Sequence, residues 1–198
     1  MDQKVIVGLT GGIGSGKSYV CELLRTHEVP VYDSDFQAKL LMNEDSTMRT
    51  RIQELLGEEA YSEGKLNRAF VAQRVFGDRD LLESLNAIVH PAVREHFRSW
   101  ARASHSRVVV QETALIFEQG MESHYDRIVL VTAPLSLRLH RVSLRDHTDP
   151  AQVMDRVRHQ LPESAQLPRA DYCIRNILRS DTVQQVRTMA LHLKYLRI

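Results

Sequence analysis

The sequence predicts an α/β protein built on a mainly parallel five-stranded sheet, with a helical insertion and a short helical lid, and three observations carry that prediction. Val5, Ile6, Val7 and Leu9 form an apolar run that ends in a glycine-rich loop and passes into a helical pattern from Lys17. Val108-Val109-Val110 and Ile128-Val129-Leu130-Val131 are continuously apolar, as parallel strands covered on both faces are. From about Glu44 to Ser104 the apolar spacing is helical, so the α/β pattern is interrupted and then resumes.

In chain order, the helix from Lys17 places Val20, Leu23 and Leu24 on one side. Pro30-Val31-Tyr32 reads as a second strand, followed by Asp33-Ser34-Asp35 and an apolar-periodic segment through Phe36, Leu40 and Leu41. Ile52, Leu55 and Leu56 precede Gly57, and Phe70 and Val71 lead to Phe76 before Gly77; glycine after a helical run is a stop signal. Leu81, Leu82, Leu85 and Ile88 continue the pattern, and His90-Pro91 reads as a break with proline opening a new helix. Pro134 to Arg145 is helical, and Thr148-Asp149-Pro150 caps a further helix through Gln160. Tyr172-Cys173-Ile174 suits a last edge strand, and Thr182 to Leu196 an amphipathic closing helix.

A chain of 198 residues with 43% hydrophobic content suits one globular unit. Its 26 basic and 25 acidic side chains leave a formal charge of +1, which provides no global field toward nucleic acid or an anionic membrane. Cys21 and Cys173 form no CxxC pair, and Met1-Asp2-Gln3-Lys4 enters the first strand without the apolar segment of a signal peptide. No run reaches the ~18 apolar residues of a membrane span. The expectation is a cytoplasmic protein.

Gly11-Gly12-Ile13-Gly14-Ser15-Gly16-Lys17-Ser18 meets the GxxxxGK[ST] pattern at every required position, followed by Tyr19. Glycines let successive backbone N–H groups approach phosphate oxygens, and the following helix presents its positive end. Lys17 brings a point charge to the β and γ phosphates, and the Ser18 hydroxyl is the candidate Mg²⁺ ligand of an ATP-binding site. A plain strand-to-helix turn requires neither Lys17 nor Ser18. No NKxD guanine-reading motif, DxxG switch or LSGGQ transporter signature occurs, which leaves a small-molecule kinase as the leading class.

In a parallel sheet, ligands collect at the carboxyl ends of strands, where Asp33 stands. A carboxylate there orients an acceptor hydroxyl and takes its proton, or it caps the next helix; Asp35 is a cap or a support for magnesium. Arg138, Arg141 and Arg145 at i, i+3 and i+7 form one basic stripe, either a solvated face or a lid that neutralises phosphate charge. Glu112 and Glu118 are further magnesium candidates, and His90 a candidate substrate contact. The nine histidines show no metal-binding spacing.

Thr10 to Ser18, Asp33-Ser-Asp35 with Ala38-Lys39, Leu85 to Pro91, Leu115-Ile-Phe-Glu118, Arg141 to Asp146, Gln160, and Ala170-Asp171 to Asn176 together resemble the dephospho-CoA kinase family. The resemblance spans nearly the whole chain. It implies a P-loop NTPase three-layer core of residues 1–35, 105–136 and 168–198, a helical CoA-binding insertion at 36–104 and a lid at 137–167. It also implies ATP-dependent phosphorylation of the ribose 3′-hydroxyl of dephospho-CoA, by a monomer or weak homo-oligomer. Asp33, Lys17 and Arg141 would be catalytic, Gly12 to Tyr19 with Arg145 and Asn176 would hold ATP, and Ser18 would hold Mg²⁺. Tyr19, Lys39, Ala114 and Arg175 depart from the commonest family pattern; at position 39 an ammonium replaces a guanidinium and cannot form its fork. Other readings consistent with the loop are a kinase for another small alcohol, such as a nucleoside or shikimate, and a non-catalytic ATP-binding regulator.

Overall fold

The apolar run near the start of the chain becomes β1 (Val5–Thr10), the middle strand of a five-stranded sheet in the computed structural model, which describes residues 4–196. Met1-Asp2-Gln3, part of the segment read above as lacking a signal peptide, lies outside the described residues. The chain continues through α1 (Lys17–Thr26) to β2 (Val31–Asp33), and a separate hairpin pairs β3 (Tyr61–Ser62) with β4 (Lys65–Leu66). The remaining sheet strands are β5 (Val108–Glu112), β6 (Arg127–Thr132) and β7 (Tyr172–Arg175), giving the order β2-β5-β1-β6-β7. Parallel pairing sets Val5 opposite Val108, Gly8 opposite Ile128 and Val129 opposite Tyr172.

Both faces of this sheet are covered, which explains the unbroken apolar runs. On one face Val5, Val7, Leu9, Val129 and Val131 pack against Val20, Cys21 and Leu24 of α1 and the apolar side of the closing helix. On the other, Ile128 and Leu130 pack with Ile116 and Phe117. Gly8 faces that second layer, where a Cβ would come 2.6 Å from Ile116 Cδ1 and 2.9 Å from the Tyr125 ring. Glycine is required there by close packing rather than by a turn.

The chain forms two compact units, residues up to Tyr32 with those from Ser104 onward, and Asp33–Ala103. In the second unit, α2 (Ser34–Glu44), α3 (Ser46–Leu56) and α4 (Arg68–Val75) pack on the long α5 (Arg79–Ala103). Asp45 caps α3 by accepting the Met48 N–H at 2.9 Å, and Met48, Ile52 and Leu56 form its buried side. The expected break at His90-Pro91 is absent, and α5 runs through Pro91. Proline removes one helical hydrogen bond and crowds the carbonyl of Ala87, at a cost of about 3 kcal/mol or more. Leu85, Ile88 and Val89 before it and Val93, Phe97 and Ala101 after it stay buried, and that continuous apolar side outweighs the defect.

In the first unit, α6 (Leu135–Asp146) and α7 (Pro150–Arg158) form a helix pair, followed by the single turn α8 (Glu163–Gln166). Asp149 caps α7 through the Ala151 N–H at 2.7 Å, with Pro150 at the first helical position. The closing helix, α9 (Arg179–Tyr195), begins about a turn before the expected Thr182, whose hydroxyl bonds back to Leu178 O at 2.9 Å. At the outer edge of the sheet, the Gln185 side-chain amide accepts the Arg175 N–H at 2.9 Å and donates to the Arg175 carbonyl at 3.1 Å. Among the described residues, no helix is long and apolar enough to cross a membrane.

Candidate active site

The loop between β1 and α1 is tied by few bonds of its own. The Ser15 N–H closes a turn onto Gly12 O at 3.1 Å, whereas the N–H groups of Gly14, Gly16, Lys17 and Ser18 have no hydrogen-bond acceptor among the described residues. These donors stand at the positive end of α1, a ready site for an anion. Gly16 immediately precedes the helix with φ 92° and ψ 34°, in the left-handed region, and a Cβ there would collide with the Asn176 side chain. Ser15 Oγ is buried with no hydrogen-bond partner, a polar atom held at the loop with unused capacity.

Lys17, the first residue of α1, folds its ammonium back to Gly11 O at 2.8 Å and lies 3.8 Å from Glu112 Oε1 at the end of β5. Both side chains are only about one-seventh exposed (15% and 13%), so the charge is held close to the loop. Ser18 is exposed in the first turn of α1, and the Tyr19 ring lies 5.6 Å below the Arg179 guanidinium.

Three segments distant in sequence hold the loop. Asn176, buried just past β7, donates Nδ2 to Ser15 O at 2.8 Å and accepts the Thr182 hydroxyl at 3.1 Å. Arg141 of α6 bonds Asn176 O at 3.0 Å and reaches Ser15 O at 3.5 Å. Arg138, one turn earlier, donates Nε to Ile13 O at 2.8 Å, and Gln160, beyond α7, accepts the Ile13 N–H at 2.9 Å. Burial lowers the basicity of Arg138, partly offset by the Glu163 carboxylate. Arg138 and Gln160 also line a cavity of about 630 Å³ with Pro134, Leu135, Arg175 and Ile177.

The basic stripe of α6 is therefore divided. Arg138 and Arg141 reach the loop, while Arg145 forks onto Asp146 at 2.7 and 3.2 Å, and Asp146 also receives Arg156 at 3.0 Å. Hydrogen bonds from Arg145 and Arg156 hold the Asp146 carboxyl down to about 2. Glu118 has one oxygen on the Leu161 N–H at 3.3 Å and the other buried without a hydrogen bond. In the second unit, Asp33 ends β2 and caps α2, accepting the Phe36 N–H at 2.8 Å, and Asp35 lies in the first turn of α2. Among the described residues, no three His, Cys, Asp or Glu side chains are grouped to hold a metal ion. Gln160 carries no charge and sits 147 positions from Ile13; the sequence pattern gave no sign that it reaches the loop.

A strand, a glycine loop with free amides, a lysine at the helix start and a parallel sheet with β1 in the middle define a P-loop nucleotide-binding protein. The family model described as dephospho-CoA kinase matches residues 5–181. A dephospho-CoA kinase of Bacteroides fragilis is 39% identical over 183 residues, covering 91% of this chain and 88% of its own length. One from Salinibacter ruber is 41% identical over 174 residues, covering 86% and 87%. A crystal structure of a Thermus thermophilus protein superposes with a TM-score of 0.87 at 32% identity, covering 97% of this chain and 98% of that one. The chain belongs to the dephospho-CoA kinase family, whose members are enzymes that use ATP to phosphorylate dephospho-CoA to coenzyme A.

Proposed function

We propose that this chain phosphorylates the ribose 3′-hydroxyl of dephospho-CoA, with residues 12–19 and Lys17 in particular holding the phosphates of ATP and Asp33 acting on the hydroxyl. The observation that carries this reading is the set of free N–H groups at Gly14, Gly16, Lys17 and Ser18 beside a lysine ammonium. Such donors are preorganised and need no reorganisation when negative charge develops on the transferring group.

The hydroxyl oxygen bonds to the γ-phosphorus as the bond to the bridging β–γ oxygen breaks, and ADP leaves. The hydroxyl proton passes to the Asp33 carboxylate. A carboxylate at the end of a sheet strand holds an acceptor in line and takes its proton late, as bonding to phosphorus makes the hydroxyl acidic. Lys17 neutralises charge on the terminal phosphates, and Arg141 adds a second cation next to the loop at Ser15. Arg145 joins the phosphates by leaving Asp146, and Asn176 and Tyr19 border the nucleoside side.

Magnesium bound here would supply positive charge to offset that of the phosphates. Ser18, exposed at the helix start, would be the protein ligand, a single hydroxyl that suits an ion taking most of its ligands from phosphate and water. Residues 36–104 carry the acceptor, and the 137–167 segment excludes water from the site. A net charge of +1 provides no global field toward nucleic acid or an anionic membrane, in keeping with small-molecule partners alone.

The test is ADP release with a panel of alcohols. Dephospho-CoA should stimulate release well above ATP alone, with the product carrying a 3′-phosphate. Turnover with shikimate or a nucleoside instead would replace the acceptor, and tight ATP binding without any stimulation would make the chain a regulator.

A further inference from the structure

The Ile13 peptide is held on both sides. Its N–H donates to Gln160 Oε1 at 2.9 Å, its carbonyl accepts Arg138 Nε at 2.8 Å, and Arg138 Nη2 reaches the same Gln160 oxygen at 3.4 Å. Ile13, Arg138 and Gln160 thus close a ring of hydrogen bonds that holds both peptide groups flanking one loop residue. The Arg138 guanidinium also lies so close over Gly12 that a Cβ there would sit 2.7 Å from its Cζ, and the Arg138 carbonyl comes within 2.6 Å of a Cβ built at Gly14. One residue of α6 therefore covers positions 12 to 14.

We propose that Arg138 and Gln160 act as a paired positioning clamp that sets the phosphate loop in its binding shape before nucleotide arrives. The clamp engages the Ile13 N–H with Gln160 and leaves the donors at Gly14, Gly16, Lys17 and Ser18 free. A glycine-rich loop has a wide choice of backbone conformations, and holding the two peptide groups on either side of Ile13 removes much of that choice. The ordering cost is then met on folding rather than on binding, which raises affinity. Arg138 takes this role through its fork: Nε and Nη2 are directed at two different acceptors, a geometry that an ammonium cannot reproduce.

The inference rests on the loop being the ATP-phosphate site, and the experiment separates the two. Binding of a non-hydrolysable ATP analogue, steady-state kinetics and melting temperature are measured for wild type, Gln160→Met, Arg138→Lys, Arg138→Met and the double Met variant. Each single variant is expected to raise the analogue Kd and the KM for ATP about tenfold, while kcat and the KM for dephospho-CoA stay within about twofold. Arg138→Lys should be as impaired as Arg138→Met, and the double variant should lose little more than either single one, because the parts act as a unit.

Analogue binding within twofold of wild type in the Gln160→Met variant overturns the clamp, as does recovery of affinity by Arg138→Lys, which would assign charge rather than geometry. Full additivity, or a lowered melting temperature with unchanged Kd and KM, overturns it too. If Arg138→Met does not fold, Gln160→Met and Arg138→Lys decide. Failure of the wild-type chain to bind the analogue at all refutes the loop assignment itself.

Discussion

Asn176 donates its side-chain amide to the Ser15 carbonyl at 2.8 Å across 161 positions of sequence, joining the segment after the last sheet strand to the loop after the first. The same side chain accepts the Thr182 hydroxyl, so both its polar ends are engaged in a buried setting.

Asn176→Leu should therefore destabilise the chain by about 1–3 kcal/mol, because, among the described residues, the Ser15 carbonyl keeps only the long Arg141 contact and the Thr182 hydroxyl loses one of its two acceptors. Asn176→Asp retains the acceptor for Thr182 but sets an oxygen against the Ser15 carbonyl, so it should be no better tolerated. Denaturant titration gives the stability, and the ATP KM should rise alongside. Wild-type stability in both variants would remove this bond from the forces that shape the loop.

Lys17→Met should cut kcat by about 10²–10³ while leaving the melting temperature nearly unchanged, since a charge acting on developing phosphate charge is lost. The readout is coupled ADP release at saturating substrates. An unchanged rate would detach Lys17 from the phosphates.

Asp33→Asn separates two roles held by one side chain. Asparagine caps helices about as well as aspartate, so the bond to the Phe36 N–H and the fold should persist. Removal of a general base should lower kcat by about 10²–10⁴ with the ATP KM little changed. Near-normal turnover would leave Asp33 as a cap alone.

His90 in α5 should make stability sensitive to mild acid. Burial, and then the nearby Arg94 charge, lower its pKa below the ordinary 6.5. The unfolded chain then binds a proton at a higher pH than the folded one, so stability is complete above about pH 6.5 and falls as pH drops through the folded-state value. His90→Gln should lose less stability than wild type between about pH 7 and about pH 5. Parallel stability curves for the two proteins would exclude His90 as a source of the acid sensitivity.

The strand-loop-helix of residues 5–26 was legible because each position has its own physical requirement: apolar strand, permissive glycines, a cation, a hydroxyl. Buried strands 108–112 and 127–132 were readable from continuous apolarity. The β3–β4 hairpin was not, since two-residue strands show no period; its only trace is the Glu63-Gly64 turn, where both residues take positive φ (50° and 79°). Local propensity predicts a break at Pro91, but the buried face that carries α5 past it depends on tertiary packing. The arginine stripe was visible, but periodicity cannot show that Asp146 engages Arg145 while Arg138 and Arg141 reach the loop. The Gln160 contact depends on how α7 ends, which no pattern in sequence encodes.

The Gln185 amide at the rim of β7 has a consequence for how this chain behaves in a crowded solution. By occupying both peptide groups of Arg175, it imitates the neighbour that a further strand would provide. An incoming extended segment finds half of a four-residue template already taken, and so little to zip onto. A single glutamine thereby guards a parallel sheet against growth by strand addition.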